Sequence, residues 1–245
     1  MTNGMYSAAA AMLSRLAAQN ITANNLANVN TVGFKGDRVA FQNLFEVSVP
    51  GVLGNSGRAS ASLPIGSTIG RSYVDSSPGR LLHTGNSIDI ALDDDVYLAV
   101  EAPQGRLYTK AGNMRLSAGG TLQTAAGFPV LGLRGTMIIR GEGVEINERG
   151  DVTVDGQVVD RLSLVRFTDP RVVQHVGDGL LTGVDVVPAH GAVVHPGFIE
   201  LSNVDAVRTM VEMISGLRTY EAAQRSLQLQ DDSMGKLMEI ARVSV

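Results

Sequence analysis

The apolar residues at both ends of the chain follow the period of an α-helix, and this spacing constrains the fold more than any other feature. The N-terminal stripe advances in steps of three and four through Ala9, Met12, Leu16, Gln19, Ala23 and Leu26. The C-terminal stripe advances in the same steps through Met210, Met213, Leu217, Tyr220, Gln224, Leu227, Asp231, Met234, Met238 and Ala241. Residues spaced in this way share one face of a helix. The sequence therefore predicts a long helix at each end.

The two predicted helices are expected to pair with each other. The C-terminal helix would comprise roughly 38 residues over about 57 Å, and Ser202 and Asp205 fit the capping box that opens a helix. A seam of that length needs a partner, and the N-terminal helix, predicted over residues 5–28, has the same spacing. We predict a coiled-coil-like core whose interface includes Met12, Leu16, Ala23, Leu26, Met213, Leu217, Tyr220 and Leu227. Periodicity alone leaves open that both helices pack on a sheet of their own chain.

An asparagine-rich segment, ANNLANVNTVGFK, ends the N-terminal helix over residues 23–35. Asparagine is tolerated where a helix ends in a left-handed turn, and glycine releases the backbone beyond it. Phe34 offers an apolar anchor just past the turn. We therefore predict that Asn25, Asn28, Gly33 and Phe34 shape an exit turn, through which the chain leaves the helix.

The middle of the chain has the pattern of an antiparallel β domain. Short runs of period two, such as Ile88, Ile90 and Leu92, alternate with turn signals, which is typical of a sandwich or barrel. We predict this domain over residues 73–201. Residues 37–72 predict an extended linker, because the stretch after Pro50 is rich in Gly, Ser and Ala and buries little apolar area. The predicted organisation is α+β, with the N-terminal helix and exit turn in residues 1–36 and the C-terminal helix in residues 202–245.

Composition and charge argue against several classes of protein. The formal net charge is −4, whereas a nucleic-acid-binding domain shows a basic patch or stripe. The chain has no cysteine, which excludes disulfides, a thiol nucleophile and cysteine-ligated metals. The four histidines lack metal-ligand spacing on a helix, and His190 and His195, which share one loop-rich stretch, are predicted to be solvated loop residues and not ligands of a shared metal. Without a phosphate-binding loop or a paired acid and base, we predict no enzyme, no cofactor and no metal. No segment has the roughly 18 consecutive apolar residues of a membrane span, so no membrane insertion is expected.

Three separated segments resemble motifs of the bacterial flagellar rod and hook protein family, and they occur in the same order as in that family. ANNLANVNTVGFK, after a short amphipathic helix, resembles the N-terminal signature, and SNVDAVRTMVEMISGLRTYEAAQRSL is similar to the C-terminal motif. Between them, SIDIAL, YLAV and LYTKAGNMRLSAGGTLQTAAGFPVLG resemble the β domain of rod proteins. The length suits a proximal or a distal rod subunit, and the sequence does not choose between these two.

This resemblance implies a structural subunit of the flagellar basal body. Rod subunits assemble helically, pair their terminal helices around the export channel and transmit torque. The implied partners are copies of the chain, neighbouring rod and hook subunits, the flagellar export apparatus and the surrounding rings. Type III export needs no cleaved leader, and no Lys or Arg precedes the apolar residues 8–13 as a signal peptide requires. The alternative is a secreted β-rich enzyme or ligand-binding module, such as a cell-wall hydrolase, with both helices packed on its own domain.

Overall fold

The computed structural model of the chain describes residues 2–43, 46–49, 61–64, 67–141 and 143–243. Its contacts divide the chain into two compact units. The first, which we call the helical unit, comprises Met1–Leu26, Arg38–Ser72 and Ala206–Val245. The second, which we call the β unit, comprises Ala27–Asp37 and Tyr73–Asp205. The described residues contain two α-helices and many strands, so the fold is α+β, as the sequence predicts.

The helical unit contains both long helices. α1 extends over Thr2–Ala27 and α2 over Ala206–Val243, which is 38 residues. The predicted N-terminal and C-terminal helices are therefore confirmed. The predicted capping box is wrong in its position, because α2 begins at Ala206 and Ser202 lies outside it. The Ser202 hydroxyl oxygen instead accepts a hydrogen bond from the Val204 N–H (3.2 Å), which forms a short turn before the helix.

The segment predicted as an extended linker contains paired strands. They are β1 (Asp37–Asn43), β2 (Glu46–Val49), β3 (Ala61–Pro64) and β4 (Ser67–Val74). β1 pairs with β4, and β2 pairs antiparallel with β3. The Gly- and Ser-rich part of the predicted linker, residues 50–60, lies outside the described residues.

The β unit consists of short strands joined by tight turns. The strands are β5 (Leu81–His83), β6 (Ile90–Leu92), β7 (Tyr97–Ala102), β8 (Gly105–Thr109), β9 (Met114–Leu116), β10 (Leu122–Thr124), β11 (Leu131–Gly132), β12 (Gly135–Thr136), β13 (Val144–Ile146), β14 (Asp151–Val154), β15 (Gln157–Arg161), β16 (Leu164–Phe167), β17 (Gln174–Gly177), β18 (Leu180–Thr182), β19 (Val186–Pro188), β20 (Val194–Pro196) and β21 (Phe198–Glu200). A 3₁₀ helix, Pro170–Val172, precedes β17.

The largest sheet of the β unit has six strands in the order β17-β18-β8-β7-β16-β19, and its pairs are antiparallel. β13, β14 and β15 form a three-stranded sheet. The other strands form pairs, namely β5 with β21, β6 with β20, β9 with β10, and β11 with β12. The prediction of short antiparallel strands is confirmed, except that residues 137–140, predicted as part of a strand, form none. The sandwich or barrel description stays a prediction.

Strand β7 is buried on both faces and contributes to two apolar clusters. Leu98 and Val100 pack in the larger cluster, whereas Tyr97 packs in the smaller one, because successive side chains of a strand point to opposite faces. The rings of Tyr97 and Phe167 meet edge to face, with their centroids 4.9 Å apart. Truncating a fully buried leucine such as Leu98 to alanine costs about 2–5 kcal/mol. These two apolar clusters form the rigid core of the β unit, on which its other segments are held.

Candidate functional site

The candidate interface lies on α1 and α2, whose surfaces divide into covered and open faces. On α2 the most covered positions, in steps of four and three, are Thr209, Met213, Gly216, Tyr220, Ala223 and Leu227. Three residues of the predicted interface, Met213, Tyr220 and Leu227, lie on this face. Leu217, also part of the predicted interface, lies beside it and is 48% exposed.

The predicted interface residues of α1 lie about half a turn away from its most covered positions, and they differ in exposure. Met12 and Leu26 are half-buried, whereas Leu16 and Ala23 are exposed. The centre of the covered face is instead formed by Ser14, Ala18, Ile21 and Asn25, in steps of four and three. Asn25, which the sequence places in the exit turn, is therefore a half-buried residue in the last turns of the helix.

The two helices touch each other at Gly216. The Gln19 side-chain amide donates a hydrogen bond to the Met213 carbonyl oxygen, at 3.3 Å. A Cβ atom added to Gly216 would lie 2.5 Å from the Gln19 Oε1 atom. The absence of a side chain at Gly216 therefore makes room for the Gln19 side chain of the other helix.

The exit turn follows α1 and belongs to the β unit. The Thr31 N–H donates to the Asn28 carbonyl oxygen (3.1 Å), and the Phe34 N–H donates to the Thr31 carbonyl oxygen (3.3 Å). Gly33 has φ +68°, a left-handed conformation that favours glycine. Its N–H donates to the Glu200 carbonyl oxygen at 2.7 Å. Asn28, Gly33 and Phe34 thus lie in one turn, which is hydrogen-bonded to the end of β21.

Phe34 is buried and packs against His175 of β17. The two rings stack with centroids 5.1 Å apart, and His175 Nε2 lies 2.8 Å from the Lys35 carbonyl oxygen. His175 Nε2 also lies 3.8 Å from a carboxylate oxygen of Asp37. Burial raises the pKa of Asp37, an effect that the nearby His175 opposes. The His175 ring, on strand β17, is therefore held against the segment that includes Phe34 and Lys35.

Beyond Phe34, three charged side chains meet in the interior of the β unit. Lys35, Lys110 and Glu200 are each no more than 2% exposed. Lys35 Nζ donates to Glu200 Oε1 at 2.6 Å and to the Ser77 carbonyl oxygen at 2.9 Å. Lys110 Nζ lies 3.8 Å from Glu200 Oε2 and donates to the carbonyl oxygens of Leu92 and Asp93. We call these three side chains the ionic cluster.

In the ionic cluster, attraction between opposite charges opposes the cost of burying charged groups. Burial lowers the pKa of Lys110 to about 8, an effect that the Glu200 carboxylate opposes and the Lys35 ammonium reinforces. Buried charges are costly unless a partner of opposite sign and hydrogen bonds compensate them. Glu200 provides the negative charge for both lysines, and its Oε1 also accepts a hydrogen bond from the Gly79 N–H (2.7 Å).

Asn203 joins the exit turn to the segment that precedes α2. Its Oδ1 accepts a hydrogen bond from the Gly36 N–H at 2.8 Å, and its side-chain amide donates to the Asp75 carbonyl oxygen at 2.8 Å. The Asn203 N–H donates to the Phe34 carbonyl oxygen at 3.3 Å. Segments far apart in sequence therefore meet around residues 33–37.

Sequence reasoning missed Lys35, Lys110, Glu200 and Asn203 as a set. One signal was present, since the chain has only three lysines and two of them lie in the ionic cluster.

Within the described residues, no group of three or more His, Cys, Asp or Glu side chains could hold a metal ion. None of the helices described is long and apolar enough to cross a membrane.

Two family models match the ends of the chain. The model described as "Flagella basal body rod protein" matches residues 5–35, and the model described as "Flagellar basal body rod FlgEFG protein C-terminal" matches residues 195–240. The first match ends at Lys35 and the second includes Glu200 and Asn203. Both sides of the contact between the exit turn and β21 therefore lie within matched segments.

Curated relatives match the chain over nearly its full length. It is 31% identical to the flagellar basal-body rod protein FlgF of Escherichia coli, with all of both chains covered. It is also 31% identical to FlgF of Salmonella typhimurium, again with full coverage of both. The flagellar basal-body rod protein FlgG of Bacillus subtilis is 28% identical over 99% of this chain and 100% of its own. The chain belongs to the family of flagellar basal-body rod proteins.

Proposed function

We propose that the chain is a structural subunit of the flagellar basal-body rod that self-assembles helically through α1 and α2. In this role it transmits torque along the rod and contributes to the wall of the export channel, without catalysing a reaction. Its partners are further copies of itself, neighbouring rod and hook subunits, the flagellar export apparatus and the surrounding rings. It reaches the basal body through the flagellar export apparatus. Membership of the rod family supports this structural role.

The observation that carries the proposal is the open apolar face of α2. Among the side chains described on this helix, the large apolar residues that are exposed are Val207, Met210, Val211, Ile214, Leu217 and Leu229. They begin beside the covered face that includes Met213 and Tyr220 and extend the apolar surface beyond it. The helix therefore needs a further neighbour, because an exposed apolar patch of this kind marks an interaction surface.

The N-terminal helix has the same property. Leu13 is 68% exposed and Leu16 is 48% exposed, whereas the smaller side chains of Ser14 and Ala18 on the same helix are covered. Contacts within one chain therefore leave these two leucines open. Pairing of α1 with α2, extended by contacts between copies, would bury these leucines in the core of a filament.

Helical growth follows from the type of contact. When a surface on one copy binds a different surface on the next, the assembly extends without closing unless the rotation returns to the start. Open faces on two helices provide two such surfaces. The contact at Gly216 supports close approach of α1 and α2, from which a coiled-coil-like pair can form.

Leu217→Asp tests the proposal, because it places a charge on the open face of α2 and changes no residue of the β unit. We expect the purified variant to keep the near-UV spectrum of the β unit but to form no filaments. A motile bacterium that carries it in place of the unaltered chain should not swim. Leu217→Met, which keeps an apolar side chain, should assemble and support swimming.

The neighbouring Arg218→Asp is the matched control, since it adds the same carboxylate to an exposed position one residue further along the helix. It should affect assembly much less than Leu217→Asp. Normal rods and normal swimming in cells with Leu217→Asp would contradict the proposed interface.

A further inference from the structure

The ionic cluster joins two segments of the chain that are far apart in sequence. We call residues 33–37, which begin within the exit turn, the inbound segment, and residues 200–203, which precede α2, the outbound segment. Lys35 belongs to the inbound segment and Glu200 to the outbound segment, 165 positions later. Lys110, which follows β8, is the third member.

We propose that Glu200, with Lys35 and Lys110, is an ionic latch that makes the order of the inbound segment and the order of the outbound segment depend on each other. The latch is closed when the Glu200 carboxylate lies between the two ammonium groups. It opens locally, without unfolding of the β unit, when that carboxylate is removed. The latch is a property of the single chain. The inbound and outbound segments lead to α1 and α2. That the latch transmits mechanical load between these two segments rests on the proposed function.

The charges make Glu200 the central member of the latch. Its Oε1 accepts hydrogen bonds from Lys35 Nζ (2.6 Å) and from the Gly79 N–H (2.7 Å). Its Oε2 is buried, makes no hydrogen bond within the described part of the chain and lies 3.8 Å from Lys110 Nζ. Removing this carboxylate would leave two buried lysines without a negative charge to compensate them, and an unpaired buried ammonium is costly. The need of these lysines for water favours opening.

Hydrogen bonds between the two segments couple their opening, so that one segment does not open without the other. The Gly33 N–H donates to the Glu200 carbonyl oxygen, and the Asn203 N–H donates to the Phe34 carbonyl oxygen. The Gly36 N–H donates to Asn203 Oδ1. These bonds alternate in direction between the inbound and outbound segments, so neither segment can move away without breaking bonds of the other.

The latch differs from an ordinary stabilising ion pair in the part of the protein that opens when the pair is broken. Proteins open locally in cooperative parts whose free energies are smaller than that of global unfolding. The inbound and outbound segments lie at the ends of the β unit's sequence, whereas its apolar clusters are built from the strands between them. Loss of Glu200 should therefore release both segments together while the strands around Leu98 stay folded.

The lysines themselves report the state of the latch. The chain has three lysines, of which Lys35 and Lys110 are buried and Lys236 is exposed on α2. The full-length chain, held at low concentration and neutral pH, would be treated with an amine-reactive acetylating reagent. Mass spectrometry then gives the rate of modification at each lysine. In the unaltered chain we expect Lys236 to react at least a hundredfold faster than Lys35 and Lys110.

Glu200→Gln should raise the reaction rates of both Lys35 and Lys110 at least tenfold, with Lys236 unchanged. The urea unfolding transition of the β unit should remain cooperative. Asp151→Asn is the matched control, because it removes the carboxylate of another ion pair of the β unit, that with Arg161. It should leave the rates at Lys35 and Lys110 as they are in the unaltered chain.

Asn203→Ala provides a second variant that changes no charge and decides the question if Glu200→Gln does not fold. It removes the acceptor of the Gly36 N–H from the outbound segment, and we expect it to raise the rate at Lys35 at least threefold. The latch is overturned if Lys35 remains as protected as in the unaltered chain in the variants that fold. It is also overturned if labelling rises only as fast as the whole β unit unfolds. These rates need no filament, so a failure of the latch is distinct from a failure of the rod proposal.

Discussion

Gly33 lies against the backbone of Lys110 with no room for a side chain. A Cβ atom on Gly33 would be 2.5 Å from the carbonyl oxygen of Lys110 and 2.5 Å from the backbone nitrogen of Ala111. Gly33 also has φ +68°, and its N–H donates to the Glu200 carbonyl oxygen. The exit turn is therefore pressed onto the segment after β8, directly beside the ionic cluster.

Gly33→Ala should destabilise the β unit strongly, because the new methyl group meets backbone atoms that cannot turn aside. We expect a loss of about 2–4 kcal/mol in the free energy of unfolding, which combines the steric clash with the cost of a left-handed alanine. Urea unfolding followed by tyrosine fluorescence measures this loss.

Gly191→Ala is the matched control for that substitution. Gly191 has φ +73°, and no described atom lies within 4 Å of the position that an added methyl group would take. It should lose only about 1–2 kcal/mol, the cost of the left-handed conformation itself. Equal losses in the two variants would show that the close approach to Lys110 contributes nothing.

The stability of the β unit should increase with pH between about 8 and 10 because of Lys110. Burial lowers the pKa of this lysine from its ordinary 10.5 to about 8. In that interval the unfolded chain holds a proton that the folded chain has released, so raising the pH favours the folded state. The expected gain is on the order of 2–3 kcal/mol, and it is lost again as the pH is lowered through the same interval.

Lys110→Met should flatten this rise, whereas Lys236→Met, at an exposed position of α2, should leave it in place. The free energy of unfolding would be measured by urea titration in steps of pH. The comparison ends at about pH 10, because burial raises the pKa of Tyr97 and its titration has the opposite effect on stability above that pH. An equal slope in the unaltered chain and in Lys110→Met would contradict the lowered pKa.

At low pH the important group is Asp151 of β14. The Arg161 side chain donates to its carboxylate at 2.5 Å and the Asn147 amide donates at 3.0 Å, and both hold the pKa of Asp151 below its ordinary value of 3.8. A lowered pKa stabilises the folded state above about pH 4, and this stabilisation is lost as the pH falls further. Acid unfolding should therefore be less steep in Asp151→Asn. Similar acid slopes in the two chains would assign the acid sensitivity to other carboxyl groups.

The sequence predicts both helices because their signal is local and repeated over many turns. It does not predict which face of each helix is covered within one chain. On α2, Leu217 and Met213 belong to one stripe of three-four spacing, yet Leu217 is exposed and Met213 is half-buried. A stripe of period about 3.5 cannot distinguish contacts within the chain from contacts between copies, because both require the same apolar residues.

The ionic cluster escapes sequence analysis for a different reason. Lys35, Lys110 and Glu200 have no local pattern in common, and each is of a residue type that is almost never fully buried. Only the folded β unit brings them together. His175 is similar, because the stacking of its ring on Phe34 depends on the pairing of β17 in the six-stranded sheet. The exit turn was predictable in part, since Asn28 and Gly33 carry the local preferences of a turn.

Two glycines in α2 allow the contact between the helices to be tested by comparison. Gly235 is exposed, and no described atom lies within 4 Å of an added Cβ atom, so Gly235→Ala should stabilise the helix by about 1 kcal/mol. Gly216→Ala has the same intrinsic gain, but its Cβ atom would displace the Gln19 side chain from the Met213 carbonyl oxygen. Its net gain should be smaller. Thermal unfolding followed by far-UV circular dichroism measures both.

Leucine at the same two positions sharpens this test, because its larger side chain prevents close approach of the two helices. We expect Gly216→Leu to prevent filament formation, since the Gln19 side chain of α1 occupies the space that the leucine needs. Gly235→Leu should assemble like the unaltered chain, because the space around its Cβ position is open within the described residues. Electron microscopy of the purified chains at high concentration distinguishes these outcomes. Equal filament formation by the two leucine variants would show that assembly does not require α1 and α2 to meet at Gly216.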